Sequence, residues 1–500
     1  MSSVLPGLNE SSLNGFVQSD EQIQQHDLNR TIISSTSINV LELSSGSEWR
    51  IEIANNESII IRVTEGMAEI FGTELPNNVD IKLKGAMRTC IFTYQGCKLQ
   101  YKGTLTSQYV SQDTCMTQYL NLHSALENQR IGVSKVNWSS SFIPNFKKVI
   151  GPRVLILGGK DSGKSSLSKI LTSYANKMGR QPILVNLNPR ESQFSIPGTL
   201  TATPISDIFD VENINYGDTG TTGSNFYHPK QPLVENFGLE IFSENLDLYL
   251  ETVKKLSESV MKRIEQDIDV CNSGIIVDTP VFSNDQIDII KQIIQFFKIN
   301  LIININEDFS AQELKKLNEE KTNDVDKFQI INVKKSSGCY EKEDQFLRMI
   351  QQRCIREYFY GTEKLSLSPY TISVSYRDLI LFKPFNVKKD QFELSLFLQD
   401  HKEIEDSSIF QKLLPLKASS SNLNNSILSI VDPKNLRNLN NKAANKFSII
   451  QNIINETSCM GFVCVLHCDD VRERCKILLP SPGSSLPSNY LILTDFRYYE

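Results

Sequence analysis

Eight consecutive residues, Gly158-Gly-Lys-Asp161-Ser162-Gly163-Lys164-Ser165, have the types and spacing of a phosphate-binding loop, G-x-x-x-x-G-K-[ST]. Each type serves the chemistry. Glycines let backbone N–H groups turn toward an anion, at a helix N-terminus that already favours negative charge. Gly158, Asp161, Ser162, Gly163 and Ser166 are the candidate cradle, Lys164 reaches the β- and γ-phosphates, and Ser165 is the candidate Mg²⁺ ligand. The pattern points to a nucleoside-triphosphate site. Whether the triphosphate is spent or only held is the open question.

Such a loop works only between a strand and a helix. Val154-Leu-Ile-Leu157 immediately before it is an apolar run of the kind found in buried parallel strands, and Leu167, Ile170, Leu171 and Tyr174 follow at helical spacing. PILVNLN (182–188), SGIIVDTP (273–280) and INLIININ (299–306) read as further strands, with DQIDIIKQIIQFFK as the helix between the last two. The alternation predicts a parallel sheet wrapped by helices on both faces over 115–361, entered through a helix at TQYLNLHSALENQRI. Ahead of it, 35–114 carries short alternating runs such as EWRIEIA and SIIIRVTEGMAEIFG, the pattern of a small β-sandwich or barrel. Residues 362–500 read as a small mixed α/β domain, with strands in YTISVSYRDLILFK and GFVCVLHCDDVRERCKILLP. An Asn/Ser-rich stretch at 417–446 reads as a mobile surface insert, and 1–34 as a disordered tail.

Composition narrows the function classes. Hydrophobic residues at 40% and charged residues at 22% describe a globular chain with a large core, and a net charge of −6 offers no broad basic field for nucleic acid. No reason for self-association is apparent. The first 30 residues lack an apolar signal-peptide core, no apolar run is long enough to span a membrane, and the ten cysteines read as reduced thiols. Cys464, His467, Cys468 and Cys475 form either a zinc set or plain strand cysteines. Alternation favours the second reading, because Phe462, Cys464, Leu466 and Cys468 would share a strand face that His467 does not. A guanine-specific N/T-K-x-D signature is absent from INEDFSAQEL, after the fourth strand.

Several stretches beyond the phosphate loop resemble the Clp/Grc-type 5′-hydroxyl polynucleotide kinase family, and within it the fungal branch that serves pre-mRNA cleavage factor IA. They are EIFGTEL (69–75), TATPISDI (201–208), KQPLVENFGLE (230–240), NLDLYLE (245–251), IREYFYG (355–361) and LILTDFRYYE at the C-terminus. The resemblance implies a β-sandwich, a P-loop domain and a mixed α/β domain, with ATP between the first two. It implies that Glu48 and Arg88 contact the adenine side, and that the partner is the large scaffold subunit that reads the RNA polymerase II tail. A nuclear location and other 3′-end processing factors as neighbours follow from it, with any RNA contact indirect.

The same comparison exposes three departures. Active members carry a carboxylate after the second strand where this chain has Asn188, and an amide cannot accept a proton at neutral pH. Their paired lid arginines correspond to Gln351 and Cys354, while Arg353 and Arg356 lie two residues later, rotated by about 200° on a helix. The tryptophan that clamps an RNA base is replaced by Phe282 or lost. A missing base alone forfeits about 10²–10⁴-fold, and missing arginines remove more. These departures favour an ATP holder over an ATP-dependent RNA 5′-kinase. Asp278 weighs the other way: it stands where a P-loop enzyme places a Mg²⁺-binding aspartate, though a strand-end carboxylate capping the next turn is the equal alternative.

Overall fold

The computed structural model describes residues 37–499 apart from 141–147, 192, 213–231, 307–310, 320–326, 401–407, 433–448, 455–456 and 484. The tail expected at 1–34 lies outside these residues. Nine strands come first: β1 (Asn39–Leu43), β2 (Ser47–Ile53), β3 (Ser58–Gly66), β4 (Glu69–Ile70), β5 (Thr73–Glu74), β6 (Ile81–Lys84), β7 (Met87–Thr93), β8 (Cys97–Gly103) and β9 (Ser107–Ser111). They form two packed sheets, β1-β8-β3-β6 and β5-β4-β7-β2-β9. The period-2 pattern is visible in β3, where Ile59, Ile61 and Val63 are buried and Ile60 and Arg62 are exposed.

The helix Met116–Ser140 leads to the central sheet, built from β10 (Arg153–Leu157), β11 (Ile183–Asn186), β12 (Thr199–Pro204), β13 (Leu233–Asn236), β14 (Ile275–Asp278), β15 (Leu301–Ile305) and β16 (Gln329–Val333). Its order is β13-β12-β11-β14-β10-β15-β16. β11, β14, β10, β15 and β16 are mutually parallel, as their apolar runs predict. β12 and β13 are antiparallel additions at one edge, so the sheet is mixed rather than wholly parallel. The phosphate strand β10 sits at the switch point between β14 and β15, where the crevice of an open α/β sheet forms.

Continuous apolar strands allow one sheet to serve two cores. Val154 and Ile156 of β10 face a core shared with the sandwich and the helix Lys164–Lys177, while Leu155 and Leu157 face a second core. That second core gathers the helices Leu246–Gln266 and Ile287–Phe296 and part of the C-terminal domain. The C-terminal sheet comprises β17 (Tyr370–Ser375), β18 (Ile380–Pro384), β19 (Leu413–Leu416), β20 (Ser426–Val431), β21 (Cys459–Asp469), β22 (Arg474–Leu479) and β23 (Tyr490–Arg497), in the order β17-β22-β21-β20-β23-β18-β19. Asn245 joins this domain to the centre: its amide donates to the Phe385 and Gln411 carbonyls at 2.8 Å, and its oxygen caps Leu248 N at 3.0 Å.

Two sequence expectations fail here. Residues 426–431, inside the expected mobile insert, form the fully buried central strand β20, because Ile427, Leu428, Ile430 and Val431 supply enough apolar surface between the Asn/Ser tracts. Residues 433–446 of that stretch lie outside the described residues. Cys464 and Cys468 do not share a face either. A bulge between Val465 and His467 shifts the register, so Cys464 and Cys468 enter different cores while His467 stays exposed. The ten cysteines are all free thiols.

His123, on the helix Met116–Ser140, is 7% exposed, has an unpartnered Nδ1 and lies 5.5 Å from the Tyr174 ring. Burial, reinforced by Arg130 and opposed by Glu127, lowers its pKa to about 4. The unfolded chain therefore binds a proton that the folded chain refuses, and stability falls as pH drops from about 6.5 to about 4, by on the order of 3 kcal/mol. Denaturant unfolding across that window should show His123→Gln losing much less stability than the wild type. A constant difference between the two at every pH would refute this.

Candidate nucleotide site

The phosphate loop leaves the C-terminal end of β10 and enters the helix Lys164–Lys177 with Gly163 at its N-cap, φ +92°. A Cβ at Gly163 would meet Cys339 Sγ at 3.0 Å, and one at Gly158 would meet Ser162 Oγ at 2.6 Å, so both positions need glycine. Asp161 also takes a left-handed φ of 51°, and its Oδ2 accepts Lys342 N at 3.0 Å. Lys164 Nζ donates to the carbonyls of Gly158 (2.9 Å) and Gly159 (2.7 Å), which hold it over the loop.

A cavity of about 760 Å³ opens above the loop, between the sandwich and the central sheet. Asp161, Ser162, Gly163, Lys164, Ser165 and Ser166 line it, as do Glu48 and Arg88 from the sandwich; Gly158 does not line it, and its carbonyl instead accepts Lys164 Nζ. Glu48 is 3% exposed, ion-paired with Arg50, and accepts Thr114 Oγ1 at 3.2 Å. Arg88 pairs with Glu52 at 2.7 Å and lies over the Tyr340 ring, 4.1 Å from its centroid. The fold thus brings residues of the sandwich and of the central domain to the walls of one cavity.

Asp278, at the end of β14, is fully buried, and neither carboxylate oxygen has a hydrogen-bond partner. Burial pushes its pKa up to about 6, with the nearby Ser165 hydroxyl and Lys164 pulling it down. A buried, unpartnered carboxylate beside the loop serine is a hard-oxygen donor set, which fits Mg²⁺. Lys164 is lowered by burial, with Asp278 and Glu191 opposing. Lys169, also facing the cavity, is lowered to about 8 by burial and by Lys342. For Glu191 burial acts upward, but Lys342, Lys164 and Lys169 outweigh it and its pKa falls.

The three departures are placed as follows. Asn188 lines the cavity, where its Oδ1 accepts Arg190 N at 3.2 Å in a turn. Gln351 and Cys354, on the helix Asp344–Tyr360, also line it, and Gln351 Nε2 donates to the Arg190 carbonyl at 3.1 Å. Arg353 and Arg356 line a different groove on the other side of that helix, where Arg353 pairs with Glu357 at 3.1 Å. Phe282 packs edge-on against Phe242 in the core, 5.2 Å between centroids, and leaves Val281 at the cavity wall.

Sequence reasoning missed Arg50, Tyr109, Lys169, Arg190, Glu191, Lys342 and the segment 336–340, all of which line the cavity. Arg50 alone left a signal, since residues 48, 50 and 52 of one strand share a face. Its Nη2 donates to the Asp113 carbonyl (2.8 Å) and Ser337 Oγ (3.0 Å), and its Nη1 to the Tyr109 hydroxyl (3.2 Å). One guanidinium therefore ties the sandwich to the central domain. Arg50→Ala should cost about 3 kcal/mol in denaturant unfolding, because it strands the buried Glu48 charge. Adding Glu48→Gln should recover part of that; no recovery would show that lost packing, not stranded charge, sets the cost.

Comparison with known proteins gives three family matches in chain order. The N-terminal β-sandwich domain of polyadenylation factor matches residues 42–133, the P-loop of mRNA cleavage and polyadenylation factor CLP1 matches 158–361, and the pre-mRNA cleavage complex II protein Clp1 matches 367–500. The mRNA cleavage and polyadenylation factor CLP1 of Debaryomyces hansenii is 39% identical, over 95% of this chain and 98% of that protein. The Saccharomyces cerevisiae protein of the same name is 33% identical, over 92% and 94%. A solved wild-type Clp1p–Pcf11p complex superposes with a TM-score of 0.77 at 33% identity, covering 93% of this chain and 99% of the other. A second, which concerns an extended Pcf11p–Clp1p interface and the basis of ATP loss in a glycine-to-arginine mutant, gives 0.76 at 32%, with the same coverage. At such identity over nearly the full length of both relatives, the chain belongs to the CLP1 family of mRNA cleavage and polyadenylation factors.

Proposed function

We propose that this chain binds ATP with Mg²⁺ in the cleft and keeps it, acting as a nucleotide-locked scaffold subunit of cleavage factor IA in the nucleus. The observation that carries the reading is the composition of the wall facing the phosphate loop. The helix Asp344–Tyr360 turns Gln351 and Cys354 into the cavity, and Asn188 stands on the β11 side. Phosphoryl transfer needs a proton acceptor and cations aimed at the moving charge, and these three side chains supply neither. Ser165 and Asp278 would hold the metal, whose part is to neutralise phosphate charge. Lys164 and the loop N–H groups orient the phosphates; Glu48, ion-paired with Arg50, offers an acceptor to an exocyclic amine.

A ligand gripped by both the sandwich and the central domain fixes their relative position. At about 100 times its dissociation constant it adds roughly 2.7 kcal/mol to the native state. A fixed surface then serves a protein partner, which we assign as the large scaffold subunit that reads the RNA polymerase II tail; the relative's complex with Pcf11p supports a partner of this kind. The family-like stretches TATPISDI and KQPLVENFGLE suggest exposed residues between 200 and 240 as the docking surface, of which 213–231 lie outside the described residues.

A second reading, transfer of phosphate to a 5′-hydroxyl RNA end, draws on Asp278, a buried unpartnered carboxylate at the loop. One experiment separates the two. The protein is purified without added nucleotide, denatured, and its released ligand identified; the native protein is then incubated with labelled ATP and 5′-hydroxyl RNA. Intact ATP near one per chain and unlabelled RNA are expected, with Lys164→Met releasing none. Labelled RNA would decide for the kinase, and release of ADP alone for slow hydrolysis.

A further inference from the structure

Resting on the ATP-holding reading, we propose that Lys342 is the clamp that selects a nucleoside triphosphate over a diphosphate, and that Glu191 is the internal anion with which the terminal phosphate competes for it. Lys342 lies outside the phosphate-loop motif, yet the chain ties it to the loop twice. Its backbone N–H donates to Asp161 Oδ2 at 3.0 Å, and Cys339, three residues earlier, packs against Gly163. Its ammonium faces the cavity and is ion-paired with Glu191 Oε2. Glu191 is anchored in turn, its carbonyl accepting Asn186 Nδ2 at 2.9 Å.

A triphosphate differs from a diphosphate by one anionic group, and that group needs a cation. The lid positions Gln351 and Cys354 provide none. Lys164 and Lys169 also line the cavity, Lys164 over the loop carbonyls where it serves the phosphates that both nucleotides share, and Arg190 is divided between Glu240 (3.1 Å) and Asp344 (2.7 Å). Lys342 is tethered beside the loop, and its partner is replaceable. The Lys342 and Glu191 side chains are 25% and 32% exposed, so water reaches the pair and can take over the carboxylate when a phosphate displaces it. A phosphate oxygen offers a charge-assisted hydrogen bond to the same ammonium. The pair thus works as an exchange: Glu191 yields Lys342 to the phosphate that carries more charge.

The test equilibrates the full chain with equimolar Mg·ATP and Mg·ADP, removes free nucleotide, denatures, and measures the ATP:ADP ratio released. The wild type should release mainly ATP. Lys342→Met should lower the ratio by about 10–100-fold while total occupancy is kept, which also shows that the variant is folded. Lys342→Arg should restore the preference, and Glu191→Gln should shift the ratio further toward ATP. An unchanged ratio in Lys342→Met overturns the clamp, as does equal loss of both nucleotides. If Lys342→Met does not fold, the Glu191→Gln ratio decides, and no shift overturns the exchange. A wild type that binds neither nucleotide overturns the ATP-holding reading and the clamp with it. If the wild type converts ATP during the equilibration, the holder reading alone fails, and a non-hydrolysable analogue in place of ATP decides the clamp.

Discussion

The burial of one helix, Lys164–Lys177, constrains the rest of the molecule. Its first turn carries the phosphate loop, and its apolar residues Leu167, Ile170, Leu171 and Tyr174 belong to the core shared by the central sheet and the sandwich. The sandwich rests on it through polar contacts as well. Tyr174 donates to Glu69, Lys177 pairs with Glu69 at 3.4 Å, Tyr94 meets the Tyr174 hydroxyl at 3.0 Å, and Thr73 meets Ser173 at 3.3 Å. The segment EIFGTEL is the sandwich's half of that contact. Because the element that cradles phosphate also supports the sandwich, the distance from the loop to Glu48, Arg50 and Arg88 is set by packing rather than by a flexible linker.

Charge in the cleft is balanced locally. Arg50 answers Glu48, Arg88 answers Glu52, Arg190 answers Glu240 and Asp344, and Lys342 answers Glu191. Asp278 stands apart, with both oxygens unpartnered and its proton affinity raised by burial. Arg50, Arg88, Arg190 and Lys342 are each positioned by a carboxylate, and among the described residues the lid helix presents Gln351 and Cys354, not a cation, to the cavity. Arg353 and Arg356 illustrate the point, since two positions along a helix move a charge to the opposite side of it.

The elements that position the chemistry were legible in the sequence. The loop motif, the apolar strands β10, β11, β14 and β15, and the helix after the loop depend on local pattern, because a buried parallel strand must be apolar on both faces. The alternating strands of the sandwich follow from the same period-2 rule. Fold class and the presence of a phosphate cradle are therefore properties of short stretches, and these the sequence determined by itself. What it concealed depended on pairing. β12 and β13 join an edge by antiparallel hydrogen bonds whose register no local pattern encodes. β20 reads as part of a polar insert until it is flanked by β21 and β23, and a single bulge decides which core receives Cys468. Lys342 and Glu191 are 151 residues apart, and Arg50 and Ser337 are 287 apart. Contacts at that separation exist only once the helix Lys164–Lys177 is buried on both sides, so only the tertiary structure decided which charges meet in the cleft.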